Sequence, residues 1–319
     1  MPWDPIKLND GRSIPSIAYG TWKIGNGDQA VSELARRWRM ALTTLVQPVA
    51  HAYRNQSEVG SALADVALER DSLFITSKAR LFFFFVLRAL FSNYKIKFSG
   101  RDDLSITGSL KQSLELTGLK YLDLYLIHDP ELATPDPVGK WKELLELRDA
   151  GLTKSAGVSN YQIADLEKLK ETKVLPAVNQ IMLHPYVWAK QKALVEYCQA
   201  HGIVIEAYSA LIPITGLPGG PLDKVLETIS ERTGASWDQI LLAWVKAKGA
   251  VAVTTSSKKE RLLGYLAAGD LLITDVEIAD LDAAGIKGSS YRPWWKHVMP
   301  AVRTFAAVYL LSRMISRII

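Results

Sequence analysis

The stretch Leu122–His128, which reads LDLYLIH, decides the fold because it is a short apolar run that ends in an ionisable side chain. Comparable runs recur on both sides of it, and an amphipathic stretch follows most of them. Short apolar strands that alternate with helical patterns indicate parallel strands joined by helical crossovers. The other runs are Leu73–Lys78, Thr153–Asn160, Ala177–Leu183, Ile203–Leu211 and Ala250–Ser257.

The segments between these runs carry helix signals. Asp102–Leu116 begins with acidic residues, Tyr161–Thr172 and Pro185–Ala200 are amphipathic, and Gly202 supplies a stop. Six strand–helix units, with one or two earlier ones, favour a (β/α)₈ TIM barrel over an open doubly wound sheet. No G-x-G-x-x-G follows a strand, so a Rossmann fold lacks its main sequence support. Residues 6–15 predict a small hairpin around an Asp-Gly turn that plugs the bottom of the barrel.

Composition and charge limit the function classes. The 319 residues suit one barrel domain, which we assign to residues 1–288. A net charge of +5 without a basic, aromatic-rich stripe argues against nucleic acid and allows an anionic ligand. Cys198 is the only cysteine, so no internal disulfide forms. We expect a cytoplasmic monomer.

Polar or ionisable side chains stand at the ends of nearly all the apolar runs. In a (β/α)₈ barrel the carboxyl ends of the strands surround one mouth, which holds the active site. The sequence therefore predicts that these side chains converge there. They are Lys78, His128, Ser159 and Asn160, Gln180, Tyr208 and Ser209, and Ser256 and Ser257.

Several motifs give the chain a family resemblance. These motifs occur in the same order as in the aldo-keto reductase family and at nearly the same spacing, so the chain resembles that family, in particular its fungal members. The match covers roughly residues 6–32, 51–79 and 101–285. The motifs are Gly20-Thr21-Trp22, Ala52-Tyr53-Arg54-Asn55 with Glu58-Val59-Gly60, Leu73–Lys78, Tyr121–His128, Gly157–Asn160, Val178-Asn179-Gln180 and Ala207-Tyr208-Ser209.

The resemblance implies reduction of a small-molecule aldehyde or ketone to an alcohol by hydride from NADPH. Hydride attack leaves negative charge on the carbonyl oxygen, which needs a positioned acid and donors. Tyr53 matches the family's acid, and Lys78 matches the lysine that lowers the pKa of this phenol. His128 matches the histidine that donates to the carbonyl oxygen.

The resemblance also implies the cofactor-binding residues. Ser159, Asn160 and Gln180 match the groups that hold the nicotinamide carboxamide, while Tyr208 matches the ring that stacks on the nicotinamide. Ser256, Ser257 and Arg261 fall where the family grips the 2′-phosphate, which favours NADPH over NADH. Thr255 stands where the family often has Lys. The remaining residues of the set are Gly20, Thr21 and Ser209 for the cofactor and Trp22 for the substrate pocket.

Two segments and the C-terminal tail depart from the family pattern. Pro48 replaces an aspartate that pairs with the lysine, and proline suits a central strand poorly, so the second barrel strand is in doubt. Residues 32–47 do not resemble the expected helix and strand, and a Phe-rich insertion occupies residues 80–100. We attribute both to a faulty gene model, with a membrane- or partner-binding loop as the alternative. Residues 289–319 predict an amphipathic, weakly membrane-associating tail or a marginal tail anchor.

Other interpretations stay open. An NADP(H)-binding homologue with little or no activity would follow from the loss of the aspartate at Pro48. A metal-dependent barrel hydrolase needs clustered ligands that the five histidines do not supply, so we assign no metal ligands. Taken singly, Lys78 is an ordinary snorkelling lysine, His128 a barrel-rim histidine, and Tyr53 a packed aromatic.

Overall fold

The computed structural model describes residues 3–21, 27–39, 47–50, 55–66, 69–79 and 105–291. The chain opens with the predicted hairpin, in which β1 (Ile6–Lys7) pairs with β2 (Ser13–Ile14) in antiparallel register. Leu8 and Ile14 are buried in one apolar cluster with residues from the interior of the barrel. The hairpin therefore closes the end of the barrel where the strands begin.

The central sheet is the predicted barrel. Its strands pair in the order β3-β10-β9-β8-β7-β6-β5-β4, and the pairings between neighbours in this order are parallel. Cα atoms of the two end strands, β3 and β4, approach within 8 Å, so the sheet curls back on itself. The strands are β3 (Ile17–Tyr19), β4 (Gln47–Ala50), β5 (Ile75–Ala79), β6 (Leu122–Ile127), β7 (Thr153–Ser159), β8 (Val178–Met182), β9 (Val204–Tyr208) and β10 (Val251–Thr254).

Helices follow the strands and cover the outside of the sheet. Several begin at a residue whose side chain caps the helix, such as Ser105, which accepts a hydrogen bond from the Gly108 N–H. The helices are α1 (Asp28–Arg39), α2 (Gln56–Val66), α3 (Ile106–Thr117), α4 (Pro137–Asp149), α5 (Ile163–Leu169), α6 (Pro185–Ala200), α7 (Ile212–Thr215), α8 (Leu222–Thr233), α9 (Trp237–Ala247), α10 (Lys259–Ala267) and α11 (Asp275–Lys287).

One expectation from the sequence, that residues 32–47 lack the helix and strand of the family, is wrong. Residues 32–47 do not resemble a helix and strand, yet helix α1 runs through residue 39 and strand β4 begins at Gln47. The helix forms because Ala30, Leu34 and Ala35 recur at helical spacing and bury one face. Pro48 sits in β4 opposite Thr76 of β5. Proline is tolerated there because, in the described part of the chain, ladder pairing joins β4 to β5 alone.

Apolar side chains form two layers. The larger cluster lies between the sheet and the helices and includes the fully buried Trp141 and Trp244. The smaller cluster fills the barrel interior toward the hairpin. On the outer layer, Asp282 of α11 accepts hydrogen bonds from Trp244 Nε1 at 2.8 Å and from Lys248 Nζ at 2.7 Å. This outer ion pair ties α11 to α9, far from the barrel interior.

The contact between α11 and α6 depends on Gly285. A Cβ atom at this position would lie 2.2 Å from the carbonyl oxygen of Pro185, which is a backbone atom and cannot rotate away. We expect Gly285→Ala to lower the free energy of unfolding by about 1–3 kcal/mol, as overpacking does. Urea unfolding followed by circular dichroism measures this change.

Gly264, within α10, is the matched control. A Cβ there would meet Gln239 Nε2 at 3.5 Å, an ordinary contact. Because glycine costs a helix interior roughly 1 kcal/mol relative to alanine, Gly264→Ala should be neutral or stabilising. A Gly285→Ala protein as stable as the unaltered chain would contradict the packing account.

Several expectations fall on residues outside the described ranges. These are Trp22, Tyr53, the insertion at 80–100 and residues 292–319 of the tail. Within the described ranges, no helix is long and apolar enough to cross a membrane.

Candidate active site

Side chains from β5, β8 and β9 meet inside the barrel at its carboxyl end. Lys78 Nζ of β5 lies 6.0 Å from the centroid of the Tyr208 ring, although Tyr208 belongs to β9. Gln180 of β8 stands opposite Glu206 of β9 in register, and Gln180 Nε2 donates a hydrogen bond to Glu206 Oε2. The predicted convergence of Lys78, Gln180 and Tyr208 is therefore observed.

Glu206 is a residue of the site that the sequence analysis missed. It sits in the middle of an apolar strand and is fully buried, with 0% of its surface exposed. Because strand side chains alternate, Glu206 shares the inward face of β9 with Tyr208 two residues later. That spacing was the signal that could have revealed it.

Burial controls the electrostatics of Lys78 and Glu206. Loss of water lowers the pKa of the Lys78 ammonium and raises the pKa of the Glu206 carboxyl, since both charged forms are disfavoured. Their mutual attraction opposes both shifts, and the hydrogen bond from Gln180 further lowers the pKa of Glu206. Each group therefore stabilises the charged form of the other.

His128 follows β6 at the same mouth. Burial, with a smaller contribution from the nearby positive charge of Lys78, lowers the pKa of its imidazole to about 4. The ring is therefore neutral at pH 7 and carries one N–H that can donate a hydrogen bond. Asn160 Nδ2 donates to the His128 carbonyl oxygen at 3.1 Å and fixes the backbone at this strand end.

Asn160 and Ser209 follow β7 and β9 in the left-handed backbone region, with φ of 63° and 62°. Residues other than glycine rarely adopt this conformation, and such strain concentrates at functional sites. The Tyr208 hydroxyl donates to Asn160 Oδ1 at 2.9 Å, and Ser159 Oγ donates to the Gln180 carbonyl oxygen at 2.8 Å. These bonds join the ends of β7, β8 and β9 into one polar rim.

The two residues that follow the Tyr53-Arg54 pair are firmly anchored. Asn55 Nδ2 donates to the carbonyl oxygen of Thr21 at 3.0 Å, and Gln56 Nε2 donates to Ser77 Oγ at 3.1 Å. Ser77 is the neighbour of Lys78, and Thr21 follows Gly20 at the end of β3. Gly20 is itself fixed, since its N–H donates to the Thr254 carbonyl oxygen at 2.7 Å.

Of the residues predicted for the 2′-phosphate, Ser256 and Ser257 lie in the loop between β10 and α10, and Arg261 lies in the first turn of α10. Ser257 and Arg261 are exposed, and Ser256 is half-buried. The Lys258 N–H donates to Ser256 Oγ at 3.1 Å, so the loop turns into the helix at this point. A helix start presents backbone N–H groups that suit an anion.

A metal centre was the third interpretation of the sequence. Across the described ranges, no group of three or more His, Cys, Asp or Glu side chains lies close enough together to hold a metal ion. His184, one of the histidines near the mouth, is instead buried against the edge of Tyr186, with ring centroids 6.4 Å apart.

The buried histidines predict sensitivity to acid. Burial lowers the pKa values of both His128 and His184 to about 4 from the ordinary 6.5. Between about pH 6.5 and pH 4 the unfolded chain binds protons that the folded chain does not, so the free energy of unfolding decreases as the pH drops. The loss reaches at most about 3 kcal/mol for each histidine.

Unfolding in urea at pH 7.5 and pH 4.5 measures this loss. We expect His184→Asn to reduce the difference in stability between the two pH values, because its side chain does not titrate there. An unchanged difference would rule out His184 as a source of the acid sensitivity.

Comparisons with known proteins agree with this fold. The model of the Aldo/keto reductase family matches residues 16–214. The NAD/NADP-dependent indole-3-acetaldehyde reductase of Schizosaccharomyces pombe is 35% identical over 254 residues, which cover 78% of this chain and 82% of that protein. An aldo-keto reductase of Mycolicibacterium vanbaalenii is 33% identical over 292 residues, covering 90% of this chain and 94% of that protein.

Solved structures of aldo-keto reductases are also similar to this chain. An aldo/keto reductase from Brucella melitensis superposes with a TM-score of 0.72 at 29% identity, covering 88% of this chain and 99% of that one. An aldo-keto reductase of Bombyx mori, solved in complex with NADP, gives a TM-score of 0.71 at 26% identity, with coverage of 88% and 92%. The chain belongs to the aldo/keto reductase family, whose members are oxidoreductases.

Proposed function

We propose that this protein reduces an aldehyde or ketone to an alcohol with NADPH, with Tyr53 as the general acid. The observation that carries the proposal is the gathering of Lys78, His128 and Tyr208 at one mouth of a (β/α)₈ barrel. Lys78 supplies positive charge inside the barrel, and neutral His128 supplies a hydrogen-bond donor at the rim. Together they form the environment that an oxygen gaining negative charge requires.

The described residues fit the nicotinamide end of the cofactor. Gln180 Oε1 is buried and has no hydrogen-bond partner in the described part of the chain. Such an acceptor suits the N–H groups of a carboxamide, which Ser159 and Asn160 would hold from the neighbouring strand end. The ring of Tyr208 would stack on the nicotinamide. When bound, NADPH supplies the hydride.

The residues that follow Tyr53 and Arg54 in the sequence support the assignment of Tyr53 as the acid. Gln56 bonds to Ser77 beside Lys78, and Asn55 bonds to Thr21. These two bonds hold the start of α2 against the strands that carry Lys78 and Thr21, which supports the proposal that Tyr53, close by in the sequence, is the acid. Gly20 and Thr21 follow β3 on this side of the mouth, and we propose that Trp22, the next residue in the sequence, contributes to the substrate pocket.

The chemistry requires the phenol to give up a proton near neutral pH. An isolated tyrosine has a pKa of about 10 and is a weak acid there. The Lys78 ammonium favours the phenolate and so lowers this pKa. His128 donates its single N–H to the carbonyl oxygen, which orients the substrate and stabilises the charge that develops.

Pro48 supports a second candidate function, an NADP(H)-binding homologue without useful turnover. It stands where the family has the aspartate that pairs with the lysine. Both functions predict a higher melting temperature when NADPH is added. Only the first predicts NADPH consumption, measured at 340 nm with a panel of aldehydes and ketones that includes methylglyoxal, glyoxal and indole-3-acetaldehyde, which the names of relatives suggest.

Arg261 tests the choice of nucleotide. Its guanidinium is a fork suited to the 2′-phosphate, together with Ser256 and Ser257. We expect Arg261→Ala to weaken NADPH binding by about 1.5–3 kcal/mol, as charge-assisted hydrogen bonds do, and to leave NADH binding nearly unchanged. Fluorescence titration of both nucleotides measures the two Kd values. Equal weakening would remove the 2′-phosphate role of Arg261.

We also propose a domain organisation. Residues 1–288 form one barrel domain, residues 289–319 form a tail that associates weakly with membranes, and the protein is a cytoplasmic monomer. The oddities at 32–50 and 80–100 arise from a faulty gene model. Sequencing the transcript tests this last proposal, since a message that encodes both segments as written would refute it.

A further inference from the structure

A buried carboxylate in the middle of an apolar strand needs an explanation. Glu206 and Lys78 are both almost completely buried, on β9 and β5, and face the same interior. A buried charge without a partner destabilises a protein by several kcal/mol, and an opposite charge nearby offsets part of that cost. One Glu206 oxygen accepts the Gln180 hydrogen bond, while Oε1 has no hydrogen-bond partner in the described ranges.

The buried ammonium of Lys78 likewise requires an opposite charge nearby. The family resemblance places the lysine's carboxylate partner at residue 48, on the strand beside Lys78, where this chain has proline. Glu206 belongs to β9, across the barrel from β5, and the ring of Tyr208, two residues further along β9, has its centroid 6.0 Å from Lys78 Nζ. The negative charge of Glu206 raises the pKa of Lys78, and the positive charge of Lys78 lowers the pKa of Glu206.

We propose that Glu206 is the anionic partner of Lys78 and a positioning residue for the acid, in place of the carboxylate missing at Pro48. The inference rests on the proposed function only for its consequence in catalysis, because the pairing itself is a property of the folded chain. Glu206 keeps Lys78 charged inside the barrel. The charged lysine then keeps the phenol of Tyr53 acidic.

Other ionisable groups at the mouth do not replace Glu206. His128, which follows β6 next to β5, is neutral, because burial and the positive charge of Lys78 disfavour its protonation. Tyr208 is neutral because burial and the charge of Asp129 raise the pKa of its hydroxyl. Of the described groups that act on Lys78, Glu206 is the one that carries negative charge.

The test is Glu206→Gln. The amide keeps an oxygen that accepts the Gln180 hydrogen bond, so the variant removes the charge and little else. We expect the pKa of Lys78 to fall by about one unit or more, the size of effect of a nearby opposite charge. NMR of protein labelled with ¹³C at the lysine ε-carbon measures it, and Lys78→Met identifies the signal. The readout needs neither cofactor nor turnover.

Kinetics supply the second readout. In Glu206→Gln the pH above which kcat declines should move downward by the same amount as the Lys78 titration, while the Kd of NADPH stays near that of the unaltered chain. Asp282→Asn is the matched control, since it removes a carboxylate from the outer pair with Lys248. It should shift neither the Lys78 titration nor the pH profile.

The outcomes separate the two proposals. An unchanged pKa of Lys78 in Glu206→Gln overturns the pairing, whatever the activity. A lowered pKa in a chain that never consumes NADPH supports the pairing and rejects the reductase function. If Glu206→Gln does not fold, Lys78→Met in ¹³C-glutamate-labelled protein decides. A Glu206 pKa that rises without Lys78 supports the pair, and an unchanged one overturns it.

Discussion

Tyr53→Phe is expected to lower kcat for aldehyde reduction by about 10²–10⁴-fold, the contribution of a positioned general acid. Phenylalanine keeps the ring and removes the hydroxyl proton that the alkoxide oxygen would take. The Kd of NADPH should stay near that of the unaltered chain, because the proposed cofactor contacts come from Ser159, Asn160 and Gln180. NADPH oxidation at 340 nm and nucleotide titration measure the two effects separately.

A second tyrosine serves as the control for Tyr53→Phe. Tyr197 lies on the outer helix α6, where its hydroxyl bonds to Glu167 at 2.6 Å. Tyr197→Phe should leave kcat unchanged. Unchanged turnover in Tyr53→Phe would reject Tyr53 as the acid. A parallel loss of NADPH binding would mean that the residue supports the cofactor site instead.

Lys78→Met is expected to lower kcat by a comparable factor, about 10²-fold or more. Methionine has a similar length and packs well in an apolar interior, so the loss arises from the missing ammonium. Without this positive charge the phenol of Tyr53 returns toward its ordinary pKa of about 10. Single-turnover oxidation of NADPH between pH 6 and 9 should be slow throughout.

Urea unfolding shows whether a loss of activity in Lys78→Met comes from the chemistry or from a failure to fold. Glu206 can take up a proton once its partner is gone, which avoids an isolated buried charge. We therefore expect the variant to remain folded at pH 7 in urea unfolding. Lys140→Met, on the outer helix α4, is the control and should keep full activity. A folded Lys78→Met protein with normal kcat would remove the lysine from the mechanism.

Much of the fold could be predicted from local sequence. The runs around Leu122–His128 and Thr153–Asn160 became strands because parallel strands buried on both faces are apolar along their length. Pro185–Ala200 became helix α6 with the same bounds, since proline starts it and Gly202 follows it. The turn at Asp10-Gly11 gave the hairpin that closes the barrel.

Helix α1, strand β4 and the role of Glu206 depend on contacts between residues that are distant in the sequence. Helix α1 and strand β4 form despite the unusual sequence before Tyr53, because the neighbouring strand β5 and helix α2 provide surfaces for them. Glu206 does not stand out in the sequence because it lies within its strand, whereas the predicted site residues stand at strand ends. Its partner belongs to a strand more than a hundred residues earlier, which no local pattern reveals.

The central claim is that a hydride passes from NADPH to a carbonyl carbon at the mouth that holds Lys78. The most direct test uses NADPH deuterated at the transferable C4 position, a reactive aldehyde and the purified chain, with mass spectrometry of the product. The account predicts an alcohol that carries one deuterium on its carbinol carbon, formed in proportion to the NADPH consumed. No alcohol, or alcohol without deuterium, would contradict it.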